Sequence, residues 1–329
     1  MGTRVAAIEG LDPATYRRHS LHADDRVWVE KNCYIDIWIE VVHALGLDPV
    51  AMLGIVVALD FEGDQWTFFK PSHDEIRALY GLDVQELNAW RPLIEHAVEH
   101  LSAGKLISTE ADAWWLPDTS GTDYRRQHTK TTIVLTEIDV DARRLGYFHN
   151  AGYYVLEGED FAETFRLDRP ADPAFLPLFA ELVRKDRLVV RSHAELGRLA
   201  AAFLRTHYAR RPARNPVLAF QERFAADLAT LQERGLPYYH AWAFGTIRQL
   251  GAATELAAAH LRWLPDGAEA PREAGAAAFE QISKLCKTLI LKAARAVNAR
   301  RPLDAVPMLG EMAMAWDHGM ASIADLVGA

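Results

Sequence analysis

The sequence is poor in cysteine and in positive charge, and each shortage excludes a class of protein. Its 329 residues include only two cysteines, Cys33 and Cys286, which lie far apart and outside any spacing motif. A disulfide framework and a cysteine-rich zinc site are therefore excluded. The formal net charge of −9 at pH 7 argues against nucleic acid as a general partner.

Membrane, secretion and phosphate-binding signals are also missing. No apolar run is long enough to span a bilayer, and residues 1–9 lack the apolar core of a signal peptide. No glycine-rich phosphate loop is found. We therefore expect a cytoplasmic protein with no membrane partner, in a reducing compartment that keeps a thiol usable.

The first strong helical pattern begins at Cys33. Apolar side chains recur at three- and four-residue spacing from Tyr34 to Leu45, which places them on one stripe of a helix. Asn32 is a suitable N-cap, and Gly46 suits the left-handed position after the helix. A cysteine at a helix start lies beside free N–H groups and the positive end of the helix dipole, which lower its pKa and can stabilise an oxyanion. The alternative is a packing role, which is commoner for a lone cysteine.

The hydrophobic period changes along the chain. Ser72 and Glu75 have the spacing of a capping box, and residues 83–100 are predicted to form a helix. From Pro170 onward, alanine, leucine and arginine recur at helical spacing, and prolines mark the change. We predict an α+β domain over residues 1–169 and a helical domain over residues 170–329. Between the predicted helices lie four strand-like segments, 105–116, 129–137, 144–149 and 153–156.

A cysteine nucleophile needs a base and a group that orients the base. His128 lies where a polar loop meets a predicted strand, and His149 and Asn150 end the next strand. Neighbouring strands of a meander bring such side chains together, so His128 is expected near His149 or Asn150. The alternatives are a strand-end histidine bonded to a loop carbonyl and an asparagine that only forms a turn.

This order of residues resembles the papain-like superfamily, and more closely the acyltransferases of the butirosin biosynthesis type. The resemblance covers about residues 30–165. The chain as a whole also resembles a family of bacterial proteins of unknown function that share stretches such as residues 116–119 and 147–153, a family linked to carrier-protein pathways. The acyltransferase resemblance lies in four pieces: Asn32-Cys33, Asp112-Ala113-Trp114-Trp115-Leu116-Pro117, His128-Thr129-Lys130-Thr131 and Phe148-His149-Asn150.

The resemblance implies a papain-like fold and a set of catalytic roles. Cys33 is the expected nucleophile, His128 the base and Asn150 the orienting residue, where the related proteins mostly carry aspartate. The Cys33 backbone N–H is the expected oxyanion donor, with the Asn32 side chain as a second candidate. His149 is the alternative third member. Substrate contacts are expected from residues that flank the cleft: Asp112, Trp115, Asp118 and Tyr124.

The implied reaction is acyl transfer through a cysteine acyl-enzyme. The resemblance implies a donor held on the phosphopantetheine of an acyl carrier protein and a small-molecule amine or hydroxyl acceptor, with no bound cofactor. Two other functions fit the same residues: a cysteine peptidase, amidase or thioesterase with the same triad, and a non-catalytic binding protein on a papain-like fold.

Two further patterns concern partners. His96 and His100 have the spacing of a metal pair on a helix but lack the glutamate of the His-Glu-x-x-His motif, so we expect no metal. Four arginines surround Tyr208, and such runs are usually a solvated surface. In an acidic protein they can also guide an acidic carrier protein, and the predicted docking residues are Arg205, Arg210, Arg211 and Arg214.

Overall fold

The computed structural model describes residues 4–170, 178–265 and 269–328. It has the predicted α+β class, and its chain forms two compact units. The first unit extends past the boundary predicted near residue 169 and contains a strand beyond it. Each unit is assembled from three segments: Met1–Ala23, Asn32–Pro49 and Ser72–Val190 in the first, and Asp24–Lys31, Val50–Pro71 and Arg191–Ala329 in the second.

One antiparallel sheet organises the first unit. Its elements in chain order are β1 (Val5–Ala6), α1 (Cys33–Ala44), α2 (His73–Tyr80), β2 (Asp83–Glu86), α3 (Leu93–Ser102), β3 (Leu106–Asp112), β4 (Lys130–Asp139), β5 (Arg144–His149), β6 (Gly152–Glu157), α4 (Gly158–Thr164) and β7 (Ala180–Arg184). The strand order is β2-β7-β3-β4-β5-β6, and β1 pairs with β4. The predicted meander is confirmed as β4, β5 and β6.

The helix α1 begins and ends where the sequence predicts. The Asn32 side chain accepts hydrogen bonds from the N–H groups of Tyr34 and Ile35, as an N-cap should. Gly46 lies just beyond the helix with a φ of 73°. Nine of the 12 residues of α1 are buried, so packing adds to the stability that these local signals provide.

The pairing of β3 with β4 determines which side chains share a face of the sheet. Asp112 lies opposite Lys130, and Glu110 lies opposite Thr132. Since side chains alternate along a strand, these four project from one face, and Thr131 projects from the other.

The helix predicted over residues 83–100 is confirmed only in its second part, which is α3, and is wrong for residues 83–92. The structure has β2 there, followed by α3, which begins after Pro92. Each residue of β2 pairs with β7, as Asp83 does with Arg184. This pairing joins residues about a hundred positions apart, and such tertiary contacts override local helical periodicity.

The described residues from His193 onward form helices and their connections, which confirms the predicted C-terminal helical region. Residues Pro49–Ala58 form a 3₁₀ helix, and Phe244–Arg248 form a π-helical turn. The Glu255 carboxylate accepts hydrogen bonds from the N–H groups of Val27 and Trp28, at 3.0 and 3.1 Å. The helices are α5 (His193–Ala209), α6 (Pro216–Arg234), α7 (Leu236–Ala243), α8 (Gln249–Trp263), α9 (Glu269–Ala299) and α10 (Val306–Val327). None of the helices in the described ranges combines the length and apolar character required to cross a membrane.

Gly81 is the position where the first unit is least tolerant of a side chain. It ends α2 with a φ of 74°, and a Cβ atom built there would lie 1.8 Å from the Arg187 carbonyl oxygen. We expect Gly81→Ala to lower the free energy of unfolding by about 3 kcal/mol, from strain and overpacking together. Urea denaturation followed by circular dichroism measures this change.

Gly46→Ala is the matched control. Gly46 has a similar φ of 73°, but its added Cβ would meet no atom within 4 Å. In this variant, the free energy of unfolding should fall only by the cost of the left-handed backbone conformation, about 1 kcal/mol. Equal losses in the two variants would contradict the close packing of Gly81 against Arg187.

Candidate active site

Cys33 is the first residue of α1 and is partly buried. The Asn32 side chain occupies the N–H groups of Tyr34 and Ile35, which confirms its capping role. The Cys33 N–H itself has no hydrogen-bond acceptor among the described residues. A donor therefore points out of the helix start beside the thiol, where an oxyanion can accept from it.

Burial raises the pKa of the Cys33 thiol, contrary to the lowering expected from its position at a helix start. The Lys130 ammonium and the side chains of Thr132 and Thr131 act in the opposite direction, and the Asp36 carboxylate adds to the rise. Because the net change is upward, the thiol is protonated at neutral pH. A reaction at Cys33 therefore needs a base to remove its proton.

His128 forms a hydrogen-bonded pair with Asp112. Its Nδ1 lies 2.6 Å from Asp112 Oδ2, and its ring stacks on Trp114 with 4.5 Å between the ring centroids. The carboxylate accepts the Nδ1 proton, so the neutral ring carries its lone pair on Nε2. No described residue hydrogen-bonds to Nε2, and 68% of the side chain is exposed. An oriented imidazole with an accessible lone pair is what a general base requires.

Asp112, the hydrogen-bond partner of His128, projects from the same sheet face as Lys130 and Thr132, two of the residues that act on Cys33. Asp112 is directly opposite Lys130, and Lys130 and Thr132 alternate on that face. His128 lies two residues before Lys130, the first residue of β4. The structure contains no hydrogen bond between His128 and Cys33 in its described parts.

The hydrogen-bond partner of His128 is not the residue predicted to orient it. Asp112, predicted as a substrate contact, holds His128, and no described hydrogen bond connects His128 with Asn150. Asn150 instead has a φ of 44° in the tight connection between β5 and β6. Asparagine adopts this left-handed conformation more readily than most residues, which supports its alternative role as a turn residue.

His149 belongs to a separate, buried network. Its Nδ1 lies 2.6 Å from Asp118 Oδ2, its Nε2 lies 2.8 Å from Thr131 Oγ1, and the Tyr147 hydroxyl donates to the same Asp118 carboxylate. Both ring nitrogens are thus occupied, and the His149 and Asp118 side chains are almost fully buried. His149 does not contact His128, so it is not the third member of a triad built on His128.

The other predicted substrate contacts have structural partners. Asp118 lies in the buried network of His149, and the Tyr124 hydroxyl donates to Asp160 at 2.8 Å. The Arg125 guanidinium lies 4.5 Å from the centre of the Trp115 ring. Among the four predicted contacts, Asp112 pairs with His128, the predicted base, and Asp118 pairs with His149, the alternative third member.

Sequence reasoning missed two groups of polar residues on the Lys130 face. Lys130 Nζ lies 3.3 Å from Glu110 Oε1. Tyr34 Oη lies 3.1 Å from His73 Nε2 and 3.3 Å from Glu181 Oε2. The two-residue alternation of β4 could have identified Lys130, since it follows His128 by two positions. Glu181 gave no such signal because β7 was not predicted.

The predicted docking arginines are exposed at the end of α5 and in the loop that follows it. Arg211 lies over the Tyr208 ring, with its guanidinium carbon 3.8 Å from the centroid, and Arg205 donates to the Val327 carbonyl. In α3, the rings of His96 and His100 stack 6.0 Å apart. The described part of the chain contains no group of three or more His, Cys, Asp or Glu residues arranged to hold a metal ion.

Two family models match consecutive parts of the chain. The model of the DUF1839 N-terminal domain matches residues 17–185, and the model of the DUF1839 C-terminal domain matches residues 193–325. A search of curated proteins found no match. The two models together cover most of the chain but assign no chemistry to it.

The two histidine–aspartate pairs should differ sharply in their effect on stability. Asp118→Asn places an amide donor against Tyr147 and His149 in a buried site, so we expect a loss of about 2 kcal/mol in the free energy of unfolding. Asp112→Asn is the matched change in a half-exposed pair and should cost less than about 1 kcal/mol. Urea denaturation measures both. A larger loss in Asp112→Asn would refute a structural role for His149 and Asp118.

Proposed function

We propose that this chain, which belongs to the DUF1839 family, is an acyltransferase that carries an acyl group on Cys33. The observation that supports the proposal most directly is the His128–Asp112 pair, because Asp112 projects from the sheet face that carries Lys130 and Thr132, two of the residues that act on the thiol. A protonated nucleophile, an oriented base and a free N–H donor are the groups that acyl transfer requires.

The first half-reaction forms the acyl-enzyme. His128 Nε2 accepts the thiol proton, and Asp112 stabilises the resulting imidazolium. The Cys33 thiolate then attacks the thioester carbonyl of the donor, and the oxyanion accepts a hydrogen bond from the Cys33 N–H. When the tetrahedral intermediate collapses, the carbon–sulfur bond to the donor breaks and its thiolate takes the proton back from His128. The products are an acyl-Cys33 thioester and a free donor thiol.

The second half-reaction transfers the acyl group. An amine or hydroxyl acceptor attacks the acyl-Cys33 carbonyl while His128 Nε2 accepts the acceptor's proton. Collapse of the second intermediate expels the Cys33 thiolate, which is reprotonated by His128. The product is an amide or ester, and the enzyme returns to its starting state. None of these steps calls for a redox change or a bound cofactor.

A carrier protein is the proposed donor. The resemblance to acyltransferases of the butirosin type supports a donor thioester on a phosphopantetheine arm. Carrier proteins are usually acidic, and the exposed arginines that follow α5 provide positive charge in a chain of net charge −9.

Hydrolysis by the same residues is the second candidate function. The His128 side chain is 68% exposed, so water can reach the base that would activate it. The two functions share the first half-reaction and differ only in the acceptor. Analysis of the products separates them, because transfer yields an amide or ester and hydrolysis yields the free acid.

Intact-protein mass spectrometry after incubation with a loaded acyl carrier protein tests the first half-reaction. We expect the wild-type chain to gain the mass of the acyl group and Cys33→Ala to gain nothing. His128→Asn and Asp112→Asn should form the adduct more slowly, by about a hundredfold and tenfold, because they remove the base and its orienting partner. An adduct of equal yield in Cys33→Ala would overturn the assignment of the nucleophile.

Asn150→Gly is the control for this experiment. Glycine adopts the left-handed conformation of residue 150 without strain and lacks the amide predicted to orient the base. We expect this variant to form the adduct at the wild-type rate. A loss comparable to that of Asp112→Asn would restore Asn150 as the orienting residue.

The docking role of the arginines has its own test. We expect the double change Arg210→Glu and Arg214→Glu to lower turnover with an acyl carrier protein by about tenfold at low salt, because it reverses the local charge. Turnover with a free acyl-pantetheine thioester should be unchanged. The charge-preserving changes Arg210→Lys and Arg214→Lys serve as the control. Unaltered carrier-dependent turnover at low salt would contradict docking at this surface.

A further inference from the structure

Trp114 lies directly against the proposed base. Its indole ring stacks on the imidazole of His128, with 4.5 Å between the ring centroids and 14° between the ring planes. Two aromatic rings at this distance attract each other beyond the apolar area that they bury. Trp114 belongs to the 3₁₀ helix over Ala113–Trp115, which follows β3. One face of the imidazole is therefore covered by an aromatic ring.

A single carboxylate connects the two rings. Asp112 Oδ2 lies 2.6 Å from His128 Nδ1, and Asp112 Oδ1 accepts the Trp114 N–H at 3.0 Å. On the other side, the Trp114 carbonyl accepts the Arg125 N–H at 3.1 Å. Arg125 has a left-handed φ of 55°, which is uncommon for a residue with a side chain. The backbone of Trp114 is thus held from both sides, and this fixes the position from which the indole projects.

His128 needs this support because its ring has a single hydrogen bond. In the described ranges, Asp112 is its hydrogen-bond partner and Trp114 is its ring contact. The side chain is 68% exposed, and one hydrogen bond through Nδ1 leaves the ring able to tilt about that bond. His149 differs, because both of its ring nitrogens are bonded within the protein. The stack on Trp114 supplies the second restraint on the His128 ring.

We propose that Trp114 is a positioning residue that holds the His128 ring in the plane from which Nε2 accepts a proton. Trp114 acts through His128 and exchanges no proton itself. When His128 becomes an imidazolium, the negatively polarised face of the indole also attracts its charge. The inference rests on the proposed function in taking His128 as the base.

Nuclear magnetic resonance of labelled histidine rings tests the stack without any acyl donor. Ring protons that lie over an indole face resonate upfield of their usual position, and the His128 signals are identified by their loss in His128→Asn. We expect these signals to lie upfield in the wild type and to move downfield in Trp114→Ala. Trp114→Phe should retain part of the upfield shift, because phenylalanine supplies a smaller aromatic face.

Acylation of Cys33 by an acetyl-loaded acyl carrier protein measures the consequence for proton transfer. We expect Trp114→Ala to lower the maximal rate of acylation by about tenfold, because a misoriented base loses part of its effective concentration. The carrier concentration that gives half the maximal rate should change little, and Trp114→Phe should restore most of the rate. A change in the half-maximal concentration alone would assign Trp114 to donor binding and overturn the positioning role.

Trp90→Ala is the matched control. Trp90 is 75% exposed in the same unit, and its ring centroid lies 6.1 Å from that of a different histidine, His96. This variant should leave the His128 signals and the acylation rate at their wild-type values. Thermal unfolding of each variant checks that the fold is retained. Trp114→Leu, which keeps apolar bulk without a ring, gives the same test if the alanine variant does not fold.

The two measurements separate this inference from the proposed function. If the loss of the indole leaves the His128 signals in place, or moves them without slowing acylation, the positioning role of Trp114 is refuted while acyl transfer by the wild-type chain stands. If the signals move but the carrier leaves no adduct on wild-type Cys33, Trp114 still orients the ring and the proposed function fails.

Discussion

The burial of α1 is the constraint on which the first unit depends. This helix carries two fully buried carboxylates, Asp36 and Glu40, on adjacent turns. Buried carboxylates without partners would be strongly destabilising, and here His22 lies between them, with Nε2 2.9 Å from Asp36 and Nδ1 paired with Glu40. The Tyr16 hydroxyl also donates to Glu40. The segment that precedes the helix therefore supplies the hydrogen-bond partners of both buried carboxylates. These contacts hold α1, and with it Cys33 at its first position, against that segment.

The two histidine–aspartate pairs have the same hydrogen-bond distance but differ in their surroundings, and this difference suits one to catalysis and the other to a structural role. Both have an Nδ1–carboxylate distance of 2.6 Å, so hydrogen-bond geometry does not distinguish them. His149 uses its second nitrogen within the protein, and His128 leaves its second nitrogen accessible. Base catalysis needs a lone pair that a substrate proton can reach, which only His128 offers. Exposure therefore carries more information here than the distance does.

The sequence predicts best where the signal is local. The cap at Asn32, the glycine after α1 and the meander were all predicted, because each depends on residues within one turn or one hairpin. Two features were not predicted from the sequence. The strand β2 pairs with β7 about a hundred residues away, and the partner of His128 comes from the preceding strand through the register of Asp112 with Lys130. The spacing of residues in a sequence does not show which residues of two neighbouring strands lie opposite each other. The sequence therefore predicted Asn150, and not Asp112, as the partner of His128. The raised pKa of Cys33 was missed for a related reason, since burial is a property of the whole packed unit.

The segmented second unit has a consequence for synthesis on the ribosome. Residues 24–31 and 50–71 are translated early, yet the partners with which they pack come from the last third of the chain. In the folded protein, the Trp28 N–H donates to Glu255, and the ring centroids of Trp66 and Phe220 lie 5.8 Å apart. Both partners are translated much later than the two tryptophans. Until those partners are made, Trp28 and Trp66 lack them in the nascent chain. A cut between the two DUF1839 matches separates these segments from their partners, so we expect neither half to fold as an independent module.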